Sequence, residues 1–146
     1  MNTADIMTRN PVTIRSDHTL REALQVMEQN DFHHLPVLSP EDHLVGIITA
    51  RDCRLALRLP DVVQQYWKDE DLVDHLLVSS VMTVAPIVAE PETHIVESAR
   101  MLLTNYVSCL PVMRGETLIG IVTVSDILIA FVKMYQSDLG NKFAGS

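Results

Sequence analysis

The chain is poor in cysteine, in basic residues and in long apolar runs, and each shortage removes a class of function. Of its 146 residues only two are cysteine. Cys53 and Cys109 carry no CxxC partner and no secretory context, so they read as reduced, buried thiols rather than a disulfide or half a metal site. Lysine and arginine number 11 against 19 aspartates and glutamates, a formal net charge of −8. That balance argues against the broad basic surface that grips nucleic acid or anionic membrane, so neither is expected as the primary partner. The longest unbroken aliphatic or aromatic run, Ile127 to Val132, falls far short of the ~20 residues that span a bilayer. Met1 to Asn10 lack the apolar segment of a signal peptide, and the expected setting is the cytoplasm.

Apolar residues are plentiful, at 47% of the chain. A protein of this length buries roughly 68–70% of the surface its unfolded chain exposes, enough for a core without disulfide or metal staples.

Sliding the sequence against itself by 75 positions reveals an internal repeat. Met7-Thr8 falls on Met82-Thr83, Pro11 on Pro86, Glu22 on Glu97, and Leu35-Pro36-Val37 on Leu110-Pro111-Val112. Beyond the next loop the offset becomes 74, with Gly46-Ile47 on Gly120-Ile121, Thr49 on Thr123 and Asp52 on Asp126. The lost residue lies between Leu38 and Leu44, where a loop absorbs it. The expected organisation is repeat 1 over 1–59, a helical connector over 60–77, repeat 2 over 78–136 and a tail over 137–146.

Each repeat carries one pattern. Val12 to Ile14 and Ile87 to Val88 are short extended pieces beside prolines. A helix follows, with Leu20, Ala23, Leu24 and Met27 at helical spacing behind a Thr19/Glu22 capping box, and with Ile95, Ala99 and Leu102 in the second copy, where the box is not reproduced. Then come two hairpins, His34–Leu38 with Leu44–Thr49 and Cys109–Met113 with Leu118–Thr123, each leading into a helix near Arg51 or Ser125. The last helix is apolar nearly all round, from Ile127 to Tyr135, which requires burial in the core or against another subunit. In the connector, Val62, Val63, Tyr66, Trp67, Leu72, Val73, Leu76 and Leu77 supply an apolar side, and Lys68-Asp69-Glu70-Asp71 marks a solvated break.

The ordered set of Met-Thr, helix, Leu-Pro-Val and Gly-Ile-Ile-Thr-Ala-Arg-Asp, answered by Gly-Ile-Val-Thr-Val-Ser-Asp, resembles the cystathionine-β-synthase (CBS) domain, present twice as a Bateman module. The resemblance implies an α+β fold of two pseudo-symmetric repeats, each with a short extended piece, helix, β-hairpin and helix, the sheets packed together and the helices outside. It further implies clefts between the repeats that take adenosyl ligands such as AMP, ADP, ATP or S-adenosylmethionine. The motif's Asp would hold ribose hydroxyls and its Thr ribose or phosphate, which here selects Thr49 and Asp52, and Thr123 and Asp126.

Chemistry supports those assignments. A Thr at a strand end and an Asp three residues on share one strand-to-helix corner, and an ionised carboxylate offers two acceptors to adjacent sugar hydroxyls. Arg51 supplies a cationic fork for phosphate that Ser125 cannot, and backbone N–H groups at the helix start can meet phosphate. Thr13-Ile14 and His34-Leu35-Pro36 would supply an adenine slot in one cleft, Ile87-Val88 and Cys109-Leu110-Pro111 in the other. The plainer alternative is that Asp52 and Asp126 simply cap their helices.

Catalytic and metal signatures are missing. His33 and His34 are adjacent, so on a strand they face opposite sides, and the remaining histidines show no ligand spacing. Gly115 and Gly120 have the interval of a P-loop, but Ile121-Val122 stand where Lys and Ser or Thr are required. The expectation is a stand-alone, non-catalytic regulatory homodimer that requires no cofactor, senses an adenosyl ligand and signals to a separate, unnamed effector protein. Its rivals are a ligand-free dimerisation scaffold and a small nucleotide hydrolase or transferase.

Overall fold

The structure, a computed structural model, describes residues 1–58 and 73–144, with side chains followed to Asp138. In chain order the elements are a 3-10 turn (Thr3–Asp5), β1 (Thr8–Arg9), β2 (Ile14–Arg15), α1 (Leu20–Asn30), β3 (His34–Leu38), β4 (Leu44–Thr49) and α2 (Ala50–Ala56). They continue as α3 (Val78–Val81), β5 (Thr83–Val84), α4 (Ile95–Asn105), β6 (Cys109–Arg114), β7 (Thr117–Thr123) and α5 (Val124–Ala144). The chain divides into a contiguous unit, Pro11–Pro86, and a discontinuous one made of Met1–Asn10 with Ile87–Ser146.

In the contiguous unit the sheet runs β2-β3-β4-β5. β3 and β4 are antiparallel with His34 opposite Thr49 and Pro36 opposite Ile47, β2 joins β3 in parallel, and β5 adds to the far edge of β4. Helix α1 begins as expected: Thr19 Oγ1 accepts from the Glu22 amide while Glu22 Oε2 accepts from the Thr19 amide, an arrangement that satisfies two otherwise orphaned donors. Its buried residues, Leu20, Ala23 and Met27, lie on one face, and they pack with Ile14, Leu35, Val37, Ile48 and Val78 in one core. Fully burying a Leu or Ile side chain is worth about 1.5–3 kcal/mol, so this cluster dominates the unit's stability.

The discontinuous unit repeats the design. Its sheet runs β1-β7-β6, with Ala89 bridging to Val112 in the place that Ile14 and Val37 occupy in the other unit. Helix α4 is capped by His94, whose Nδ1 accepts from the Val96 amide at 3.2 Å. Met7, Ala89, Leu102, Leu110, Val112 and Val122 form the core.

The hairpins lie where the sequence pattern sets them. The extended pieces ahead of α1 and α4 pair one or two residues later than the prolines suggest, at Ile14–Arg15 and Ala89. Helix α5 runs through to Ala144, across residues that the repeat pattern sets apart as a tail. Of the connector, Val73 is buried in the contiguous unit's core and Leu76 packs against it. Pro60, Val62, Val63, Tyr66, Trp67, Lys68–Asp71 and Leu72 lie outside the described residues. Among the described side chains of α5 Ala130 alone is buried, while Leu128, Ile129, Phe131, Val132, Met134 and Tyr135 stand exposed. No helix among the described residues is long and apolar enough to cross a membrane.

Candidate functional site

Each unit carries the same corner where its hairpin meets the next helix. In the contiguous unit β4 ends at Thr49, which caps α2: Thr49 Oγ1 accepts from the Asp52 amide at 3.0 Å, and Asp52 Oδ2 accepts from the Thr49 amide at 2.9 Å. In the discontinuous unit Thr123 Oγ1 accepts from the Asp126 amide at 3.2 Å and Asp126 Oδ2 accepts from the Thr123 amide at 2.8 Å. The residue just ahead of each hairpin closes its corner, since the Ala50 amide donates to the His33 carbonyl and the Val124 amide to the Ser108 carbonyl. The capping chemistry weighed for these residues is therefore present in both copies.

Capping engages one oxygen of each carboxylate. Among the described residues Oδ1 of Asp52 and of Asp126 has no hydrogen-bond partner, and both aspartates are partly exposed. The cap fixes the carboxylate's orientation and leaves an acceptor on its other oxygen. A charged acceptor of this kind forms stronger hydrogen bonds than a neutral one, and a ligand hydroxyl can donate to it.

The other expected site residues divide by register. His34 sits opposite Thr49 on the neighbouring strand and Cys109 opposite Thr123, so each pair shares its unit's corner. Thr13 and His34 are half-buried, and Val88 is exposed. Ile14 is only 3% exposed and Cys109 only 6%, while Pro36 and Pro111 are fully buried. Those four have almost no side-chain surface to offer, so their contribution to a ligand would come from main chain. Arg51 and Ser125 project from the first turns of α2 and α5, both exposed. Arg51 has no hydrogen-bond or ion-pair partner among the described residues.

Cys53, one residue past Asp52, is fully buried, and burial, aided by the Asp52 charge, pushes its thiol up to about 11. A thiol so placed is a packing group rather than a nucleophile. Both cysteines are buried, and neither is part of a disulfide among the described residues. Among the described residues no three His, Cys, Asp or Glu side chains converge as a metal site.

The discontinuous unit also holds a cleft of about 560 Å³ that includes Asp126. Its walls are the leading segment, with Met1, Asp5 and Ile6, and one face of α5, with Ala130 and Lys133. None of these wall residues was selected from the sequence. A signal was there, because Lys133 follows Asp126 by two helical turns and so shares its face. The contribution of Met1–Asn10 was hidden, because that segment belongs to the unit built mainly from the second repeat.

Comparison with known proteins agrees with this duplicated geometry. The CBS domain model matches residues 4–59 and again 78–133. A CBS domain-containing protein of Dictyostelium discoideum is 36% identical over 135 residues, covering 90% of this chain and 91% of that protein. Among solved structures, a CBS domain pair in complex with 5′-methylthioadenosine and S-adenosyl-L-methionine superposes with a TM-score of 0.77 at 25% identity, over 92% of this chain and 98% of that one. CBSX2 in complex with AMP gives 0.73 at 26% identity, over 92% and 98%. With a family match on each repeat and the fold of solved CBS domain pairs around it, the chain belongs to the CBS domain family.

Proposed function

We propose that the chain is a non-catalytic regulatory module that binds an adenosyl ligand at its two Thr–Asp corners and passes the bound state, as a homodimer, to a separate effector protein. The observation that carries this reading is the duplicated corner, in which the cap orients Asp52 and Asp126 and leaves Oδ1 of each unengaged among the described residues. Structural relatives crystallised with AMP, or with S-adenosylmethionine and methylthioadenosine, support the ligand class. In this reading the Asp oxygen accepts from ribose hydroxyls, main chain around Ile14 and Pro36, or around Val88 and Pro111, frames the adenine, and Arg51 faces phosphate. Binding can shift the module between arrangements only as far as the ligand's affinity differs between them.

A second reading is favoured by one observation: capping alone gives both Thr–Asp pairs a complete structural purpose. On that reading the chain is a ligand-free scaffold. Calorimetric titration of nucleotide-free protein with AMP, ADP, ATP and S-adenosylmethionine separates the two, repeated on Asp52→Asn and Asp126→Asn, whose amide oxygen can keep the cap. Saturable binding that weakens in either variant is expected. A ligand held at 100 times its Kd should also add about 2.7 kcal/mol of stability. Folded, nucleotide-free protein that takes up none of the four at millimolar concentration would establish the scaffold.

A further inference from the structure

The leading segments of the two repeats are docked reciprocally, by matching main-chain bonds. In the discontinuous unit the Thr3 amide donates to the Thr93 carbonyl, Ala4 to Pro91, and Ile95 to Met1. In the contiguous unit the amide of Val78 donates to the His18 carbonyl, Ser79 to Ser16, and Leu20 to Leu76, the same three bonds shifted by 75 positions. Beyond them Asn10 donates to Ile119 and Ala85 to Val45, again equivalent. Even the packing corresponds, with Met7 against Gly120 and Met82 against Gly46. The backbone therefore holds no information about which segment belongs to which site.

Side chains differ at one fully buried point. Thr3 and Ser98 are both 0% exposed, and their hydroxyls share a 2.6 Å hydrogen bond, while Thr3 Oγ1 also donates to the Thr93 carbonyl at 2.6 Å. They are the two buried polar residues among the described ones. At the equivalent positions of the other unit stand Val78 and Ala23, also 0% exposed. Thr and Val have nearly the same shape, as do Ser and Ala, so the two contacts differ chiefly in hydroxyl groups.

We infer that this matched difference, Thr3 on Ser98 against Val78 on Ala23, assigns each leading segment to its docking site. Exchange of the segments would set Val78 against the Ser98 hydroxyl and leave it without its partner. It would also carry the Thr3 hydroxyl onto Ala23, in a core of Leu20, Met27 and Leu35. A buried hydroxyl stripped of its partner is costly, whereas replacing both partners by apolar groups of the same shape is nearly neutral, so matched pairs are tolerated and crossed pairs are not. The inference is independent of any ligand.

Two full-length variants test it, followed by urea unfolding and by the NMR contact between the Met7 methyl and Gly120. The crossed variant combines Thr3→Val with Val78→Thr. The exchanged variant adds Ser98→Ala and Ala23→Ser, restoring a matched pair at each site with the identities swapped. The crossed variant should lose roughly ten-fold or more in its folded-to-unfolded ratio, or move the Met7 methyl from Gly120 to Gly46. The exchanged variant should recover most of the loss with Met7 on Gly120. A crossed variant as stable as the native chain with Met7 still on Gly120, or an exchanged variant no more stable than the crossed one, overturns the assignment.

Discussion

Gly46 lies directly beneath Met82: a Cβ built on it would stand 2.6 Å from the Met82 sulfur and 2.8 Å from the Thr83 carbonyl oxygen. Gly120 stands in the same relation to Met7, with the Thr8 carbonyl 3.0 Å away. These glycines let β5 and β1 approach the outer strand of each hairpin. A methionine tip can move aside; a carbonyl held in a sheet cannot. Gly46→Ala and Gly120→Ala should each destabilise the protein by about 1–3 kcal/mol, as overpacking does, seen as a lower urea midpoint. Gly115, at φ +61 with nothing within 4 Å of its would-be Cβ, is a different case. Asp42 already tolerates φ 66 in the other hairpin loop, so Gly115→Asn should shift the midpoint little, since Asn is among the residues that accept the left-handed region.

Capping and binding should separate at the corners. Thr49→Val removes the acceptor of the Asp52 amide and should cost about 1 kcal/mol of stability, with Thr49→Ser largely restoring it. Asp52→Asn should leave the thermal midpoint close to the native value while weakening the adenosyl ligand at that corner. The two effects are read by differential scanning calorimetry and by titration of the same samples.

Alkaline pH offers a handle on Cys53. Burial lifts its thiol from an ordinary 9.0 to about 11, so between those values the folded chain holds a proton that the unfolded chain has released. The contribution is flat below pH 9 and erodes stability above it, by about 1.4 kcal/mol per pH unit until pH 11. Urea midpoints from pH 7 to 10.5 should fall more steeply for the native protein than for Cys53→Ala. At pH 8 a thiol reagent should modify Cys53 only after unfolding.

Helix α5 should carry the subunit interface. Leu128 and Phe131 are 57% and 55% exposed in the single chain, and the Phe131 and Tyr135 rings pack with centroids 4.6 Å apart. Exposed apolar side chains so concentrated mark a contact surface. Leu128→Glu with Phe131→Glu should convert a dimer to monomers in sedimentation equilibrium without changing the far-ultraviolet circular dichroism. An unchanged mass would exclude this helix from the interface.

What the sequence revealed follows from where its signals are redundant. The hairpins were legible because Leu-Pro-Val and the Gly-Ile motif occur twice, each bounded by loop residues. The start of α1 was legible because capping chemistry is local, and the structure shows both reciprocal bonds between Thr19 and Glu22. Strands of two residues, such as β1, β2 and β5, have no periodicity to detect, which is why the pieces near Ile14 and Ala89 were placed early. The reciprocal docking of Met1–Asn10 was invisible for a deeper reason. A repeat announces what its parts are, but two docking sites with equivalent main-chain bonds leave the choice to buried side chains 95 positions apart, Thr3 and Ser98, and no local pattern links them.

The corner residues were legible as chemistry and ambiguous as purpose. Thr–x–x–Asp at a strand-to-helix junction encodes a cap whether or not a ligand is ever bound, and both copies form that cap. The pattern could not show that Ile14, Pro36 and Pro111 would be enclosed, because facing inward or outward at those positions depends on what packs over the strand.

Because the contiguous unit falls between the two pieces of the discontinuous one along the sequence, the order of synthesis matters. A ribosome delivers Met1–Asn10 first, then the strand β4, and only later the strand β7 on which β1 must lie. Before Thr83–Val84 emerge, the edge of β4 is open and the only docking site within reach of the nascent leading segment is the wrong one. Domains tend to fold as units as they leave the ribosome, so the contiguous unit can close as soon as Pro86 is made, while Met1–Asn10 must wait through the translation of a further unit. A hydroxyl at Thr3 that fits poorly over Ala23 keeps that wait short of a commitment.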